Sequence, residues 1–175
     1  DEDFEVHAKE IYTTPKWPTN PLIYVNCTSL TDKTVAPEGN ETVFVLIPIA
    51  PDLTESDEVK NHYFDLVIKR IEKHIGISFK DNIVFRRDYA GSDFIKDYNS
   101  FKGNAYGLAN TLSQTAILKP KLINKKVKNL FYTGQLTVPG PGVPPSLISG
   151  KLVANQVQNN LNKKYHANHS STSKR

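Results

Sequence analysis

Hydrophobic and polar positions divide the chain into short strands near its front and helices behind them. Residues 22–27 and 42–49 are rich in Ile, Val, Tyr and Phe, and the polar stretch between them contains Pro37-Glu38-Gly39-Asn40. The two runs predict an antiparallel pair joined by a long loop. Pro48 and Pro51 lack the backbone N–H that a ladder needs and end the second strand. Thr54-Glu55-Ser56-Asp57 then has the Thr-x-x-acid spacing that caps a helix. Val59, Tyr63, Leu66, Val67, Ile71 and Ile75 follow at three- and four-residue spacing, and Gly76 is placed to end the helix they form.

Beyond that helix the pattern loosens. Residues 83–87 are a short strand candidate, and residues 92–98 suit one or two helical turns opened by Ser92. Residues 130–133 form a compact apolar strand candidate that runs into Gly134 and a turn dense in Gly and Pro. Pro145 suits the first turn of another helix, with Leu147, Gly150, Ala154, Val157 and Leu161 on one face. Residues 163–175 are polar and aperiodic, which predicts a disordered tail. The order of elements makes the fold class mixed α+β, and no internal repeat is visible.

Composition narrows the function classes. With 38% hydrophobic residues among 175, the chain can bury a core. Its longest apolar run, residues 43–50, is far too short to span a bilayer. Cys27 is the single cysteine, which excludes an internal disulfide and a cysteine-cluster metal site and fits a reducing cytoplasmic setting. His62 and His74 fall about three turns apart on one helix, too far for a shared ion, so no metal is expected. The net charge is +4, with Lys119, Lys121, Lys125, Lys126 and Lys128 gathered within ten positions. That patch admits three readings: a solvated connection, a contact to anionic lipid headgroups, or nucleic-acid binding. Nucleic acid ranks lowest, because aromatic residues are not interleaved with the lysines.

Chemistry concentrates in residues 129–151. An apolar run there delivers the glycines Gly134, Gly140 and Gly142 to a helix start near Ser146. Glycines let backbone approach a ligand without Cβ contact, and N–H groups at a helix start can donate to an electronegative ring or phosphate. The alternative is a proline-stiffened connection without a ligand.

Gly134, Thr137, Pro139, Gly140, Gly142 and Pro144 match the pattern Gly-x-x-Thr-x-Pro-Gly-x-Gly-x-Pro. The segment closely resembles the C-terminal flavin motif of bacterial and fungal phytoene desaturases. Two further blocks share the resemblance: Thr31-Asp32-Lys33-Thr34-Val35-Ala36-Pro37-Glu38-Gly39, and Gly103-Asn104-Ala105-Tyr106-Gly107-Leu108 followed by Leu112-Ser113-Gln114-Thr115 and Pro120. Together the blocks cover about residues 20–160, in matching order and spacing.

The resemblance implies an FAD-dependent enzyme that inserts double bonds into phytoene or a related carotenoid by hydride transfer to the flavin. It implies a flavoprotein fold in which residues 1–125 belong to a mainly antiparallel substrate-binding domain and residues 126–162 supply the closing strand-turn-helix of the FAD domain. Gly134, Gln135, Val143, Pro144 and Ser146 would then contact the cofactor, and Tyr106, Leu108 and Leu112 would line a substrate tunnel; no catalytic residue is assigned. Gln135 departs from many related flavoproteins, which place an acid after this glycine to hold the ribityl chain, although an amide can make one such hydrogen bond. A water-insoluble C40 substrate further implies a cytoplasmic protein bound peripherally to a membrane.

The dinucleotide fingerprint Gly-x-Gly-x-x-Gly is missing from this sequence. The expectation is therefore a segment of a longer protein, with an incomplete FAD site and without desaturase activity in isolation. Carotenoid isomerases and retinol saturases share the flavin fold and stand as alternatives, as does a non-catalytic interaction module. Oligomeric state is left open by the sequence.

Overall fold

A computed structural model describes residues 3–109 and 111–172. Contacts group the chain into two units that divide between Asn104 and Ala105. Residues 105–125 fall in the second of these units.

The first unit opens with helix α1 (Phe4–Tyr12), which the hydrophobic pattern does not predict. Asp3 caps it, accepting the Glu5 N–H at 2.9 Å. Its inward residues are polar: His7 is 1% exposed and Glu10 is also buried. The His7 ring accepts the Leu22 N–H at Nδ1 (2.8 Å) and donates from Nε2 to the Pro48 carbonyl (2.9 Å), so both nitrogens of the neutral ring are satisfied. Glu10 takes the Thr19 N–H at 2.9 Å, the Thr19 hydroxyl at 2.8 Å and the Lys16 ammonium at 2.9 Å. The Lys16 bond first, and then those from Thr19, hold the Glu10 carboxyl down at about 2.

Strands β1 (Tyr24–Cys27) and β2 (Val43–Leu46) form the expected antiparallel pair, with Tyr24 opposite Leu46 and Cys27 opposite Val43. Each is shorter than its apolar run. Buried Ser29 organises the loop between them: its hydroxyl accepts the Thr42 N–H at 2.9 Å and donates to the Glu41 carboxylate. Helix α2 (Asp57–Ile75) is capped by Ser56, two residues beyond the expected Thr54, and ends at Gly76 with φ +73, a conformation that favours glycine. Val67 and Ile68 are its buried residues and, with Ala50, are the buried hydrophobic side chains of this unit among the described residues, whereas Ile75 lies exposed. Burying a Val or Ile side chain of this kind contributes about 1.5–3 kcal/mol, and the Ala50 methyl about 0.8 kcal/mol. Trp17 stacks against Tyr63 of α2 at 5.1 Å and donates to the Thr54 carbonyl at 2.8 Å.

Residues 83–87 are not a strand; they are irregular and without a ladder partner, and Val84 and Phe85 lie exposed. Arg86 pairs with Asp88 at 2.6 Å and covers the Phe64 ring. Helix α3 (Gly91–Tyr98) starts one residue ahead of Ser92, whose hydroxyl bonds the Glu55 carboxylate instead of capping.

In the second unit the expected strand at 130–133 is reduced to a single antiparallel bridge, Ile123 with Phe131, flanked by the Tyr132 N–H bond to the Leu122 carbonyl at 2.8 Å. A strand persists only where a neighbour accepts its ladder, and among the described residues this run finds only that short partner. The sheet content is thus the two-stranded pair alone among the described residues, and the architecture is mostly helical within the mixed class. Helix α4 (Val143–Thr172) extends ten residues past the expected end at 162. No Gly or Pro follows Gly150, so nothing in the sequence breaks it. The last three residues of the expected disordered tail lie outside the described residues. Among the described residues no helix is long and apolar enough to cross a membrane.

Candidate functional site: a glycine turn pinned to a helix

The chemistry-bearing stretch of the second unit is the turn that joins residues 130–133 to α4. Gly134 adopts φ +98, Gly140 φ +138 and Gly142 φ +108, so each glycine is required by backbone conformation. Thr137 closes the turn: its N–H and its hydroxyl both donate to the Gly134 carbonyl, at 3.1 and 2.9 Å. That assigns a structural task to the threonine of the Gly-x-x-Thr motif.

Ser149, on the second turn of α4, is 0% exposed and fixes the turn to the helix. Its hydroxyl donates to the Ser146 carbonyl at 2.7 Å and accepts the Gly134 N–H at 2.8 Å. With its single proton spent on Ser146, it also accepts from the Thr133 hydroxyl at 2.8 Å. Sequence reasoning missed this role for Ser149; the signal that could have found it is a small polar residue one turn after Ser146 on a helix face that also carries Gly150. Gly150 lies beside the same contact, and a Cβ there would meet the Thr133 hydroxyl at 3.8 Å, an ordinary van der Waals distance.

The start of α4 differs from the expected donor array. Pro144 and Pro145 have no N–H, and the Ser146 N–H bonds the Gly142 carbonyl at 3.0 Å. Val143 is the one residue of the first three in the helix that carries an amide proton. What the helix start presents outward is therefore its dipole, one early amide and an apolar edge, with Val143 74% exposed and Pro144 exposed beside it. Gly134 has no atom within 4 Å of where a Cβ would be. An open glycine turn, an apolar edge and a positive helix end suit the face of a planar, electron-accepting ring such as a flavin, so these residues fit the group that the motif implies.

Gln135 and Leu136 lie in the same turn and hold residues 105–108. The Gln135 side-chain nitrogen donates to the Ala105 carbonyl at 3.0 Å. Gly107, at φ +80, approaches so closely that an added Cβ would stand 2.1 Å from Leu136 Cδ2. Tyr106 and Leu108 are thereby brought next to the glycine turn, with Tyr106 65% exposed. Leu112 is 92% exposed further along the chain. All three are surface groups of this unit.

The lysine patch loses one member: Lys119 is buried, its side chain lying under Gly140, while Lys121, Lys125, Lys126 and Lys128 are exposed.

No protein-family model matches the chain. Comparison with curated proteins gives clear relatives. The chain is 43% identical over 152 residues to a carotenoid 3,4-desaturase of Haloarcula japonica, covering 87% of this chain and 31% of that protein. It is 32% identical over 150 residues to a zeta-carotene-forming phytoene desaturase of Myxococcus xanthus, covering 80% and 28%. It is 31% identical over 164 residues to a 4,4'-diapophytoene desaturase (4,4'-diaponeurosporene-forming) of Staphylococcus aureus, covering 89% and 32%. The chain thus spans about a third of the length of the curated relatives it matches. Over most of its own length, it is homologous to the carotenoid desaturases of the phytoene desaturase family.

Proposed function

We propose that this chain supplies the flavin-facing turn and part of the polyene-facing surface of an FAD-dependent carotenoid desaturase. The observation that carries the reading is the pinned glycine turn, held at its base by buried Ser149 and left open at Gly134, Val143 and Pro144. FAD, when bound, supplies the hydride acceptor for dehydrogenation of a carbon–carbon single bond. Gly134, Val143, Pro144 and the Ser146 turn would offer it a non-clashing face and a positive helix end. The apolar Val143–Pro144 edge would exclude water from that face. Tyr106, Leu108 and Leu112 would border the path of a phytoene-like substrate by apolar contact, without serving as proton donors in the reaction.

A carotenoid is taken from a bilayer, so the complete protein is read as cytoplasmic and peripherally membrane-bound, with Lys121, Lys125, Lys126 and Lys128 facing anionic headgroups.

The test is a chimera in which this chain replaces the matched segment of the Haloarcula relative. Flavin fluorescence and carotenoid desaturation are then measured, alongside flavin titration of the chain alone and of the chain mixed with the remainder of that relative. Flavin bound by the chimera and by the mixture supports the reading. A folded chimera without flavin would overturn it in favour of an interaction module. Flavin uptake with isomerisation or saturation of the polyene would redirect it to one of the other flavin-fold activities.

A further inference from the structure

Gln135 follows the glycine of the flavin-type motif, where a side chain would ordinarily be read as a cofactor contact. Its donor group is engaged within the chain. The amide nitrogen spends one of its two N–H donors on the Ala105 carbonyl at 3.0 Å in a partly buried setting. The next residue, Leu136, fills the space over Gly107 that any Cβ would need. Two consecutive turn residues thus grip one short segment, residues 105–108, by a polar and an apolar contact. We infer that Gln135 is a positioning residue: it clasps the segment bearing Tyr106 and Leu108 to the glycine turn and so sets the substrate-facing wall relative to the flavin-facing turn. The substrate part of this inference rests on the desaturase reading; the clasp does not.

The chemistry of the amide provides a discriminating substitution. Gln135→Glu keeps the length and the acceptor oxygens but loses the N–H, and the carboxylate it introduces would face the Ala105 carbonyl with the wrong polarity. A ribityl contact would survive Gln135→Glu, because a carboxylate accepts well from sugar hydroxyls. A clasp would not.

The experiment is amide hydrogen exchange on the full chain carrying Gln135→Glu or Gln135→Ala, with flavin affinity and the KM–kcat split measured in the chimera described above. Both variants are expected to accelerate exchange across residues 105–108 by about 5-fold, the effect of one typical hydrogen bond, with the middle of α4 unchanged. In the chimera, flavin affinity should stay within about 2-fold while KM for the carotenoid rises more than kcat falls. Unchanged exchange at 105–108 in Gln135→Ala, or acceleration spread equally over α4, overturns the inference. So does Gln135→Glu retaining protection at 105–108 while Gln135→Ala loses flavin affinity. If no chimera binds flavin, the desaturase reading fails while the exchange result still decides the clasp.

Discussion

The buried hydroxyl of Ser149 lies 2.8 Å from the backbone nitrogen of Gly134, fifteen residues earlier, and is the pin on which the glycine turn hangs. Its partners are a main-chain donor, a main-chain acceptor and the Thr133 hydroxyl, so every hydrogen-bonding capacity of that oxygen is spent inside the protein. A turn shaped this way is preorganised: a ligand meeting its open face need not order it first.

Ser149→Ala is expected to leave the Gly134 N–H and the Thr133 hydroxyl without their partner, costing about 1–3 kcal/mol of local stability. Hydrogen exchange at the Gly134 amide measures this directly. Ser149→Thr, which retains the hydroxyl, should recover part of the loss unless its methyl group clashes, and exchange as slow in Ser149→Ala as in the parent protein would show that the pin carries no weight.

Gly107→Ala combines two penalties, a left-handed backbone at φ +80 and a Cβ placed against Leu136. Residues 105–108 should lift from the turn. Proteolysis and exchange localised to that segment are the readout, with recovery in a Gly107→Ala/Leu136→Ala double variant, since the smaller side chain removes the clash though not the backbone strain.

His7→Leu keeps bulk but removes both polar contacts, orphaning the Leu22 N–H and the Pro48 carbonyl. A destabilisation of the first unit by about 2–4 kcal/mol is expected from two lost partners. Trp17 is the single tryptophan and lies in this unit, so its fluorescence in urea reports the change.

Acid should loosen the same unit. Glu10 is held at about 2 in the folded protein by its bonds to Lys16 and Thr19, against an ordinary value of 4.5. A depressed folded value means that the carboxylate stabilises fully above 4.5 and that its contribution is lost as pH falls from there toward 2. The stability difference between the parent protein and Glu10→Gln should therefore shrink over that window. A difference that stays constant from about pH 5 down to about pH 2 would mean that Glu10 does not drive the acid response.

Helix α2 and the β1–β2 pair were legible in the sequence for different reasons: α2 turns apolar side chains inward at the helical period and ends on Gly76, whereas the two strands carry the β-branched and aromatic composition of a sheet although most of their side chains lie exposed. Helix α1 was invisible for the opposite reason: its inward positions are His7 and Glu10, which no hydrophobic period can reveal. Residues 83–87 and 130–133 had strand composition, but composition does not supply a ladder partner. The motif residues Gly134, Gly140 and Gly142 were likewise found in the sequence, since positive φ leaves glycine as the natural occupant.

The sequence by itself determined the covalent and conformational parts of this protein: the helix and strand periods, the glycine turn and the family blocks along about residues 20–160. Tertiary structure alone decided the pairings between distant residues. It set Ser149 under Gly134, directed the Gln135 amide to Ala105, and drew Lys119 beneath Gly140. The physical reason is that φ/ψ preference and periodicity are local properties of the chain, whereas a polar side chain has several acceptors within reach and takes the one that burial leaves beside it.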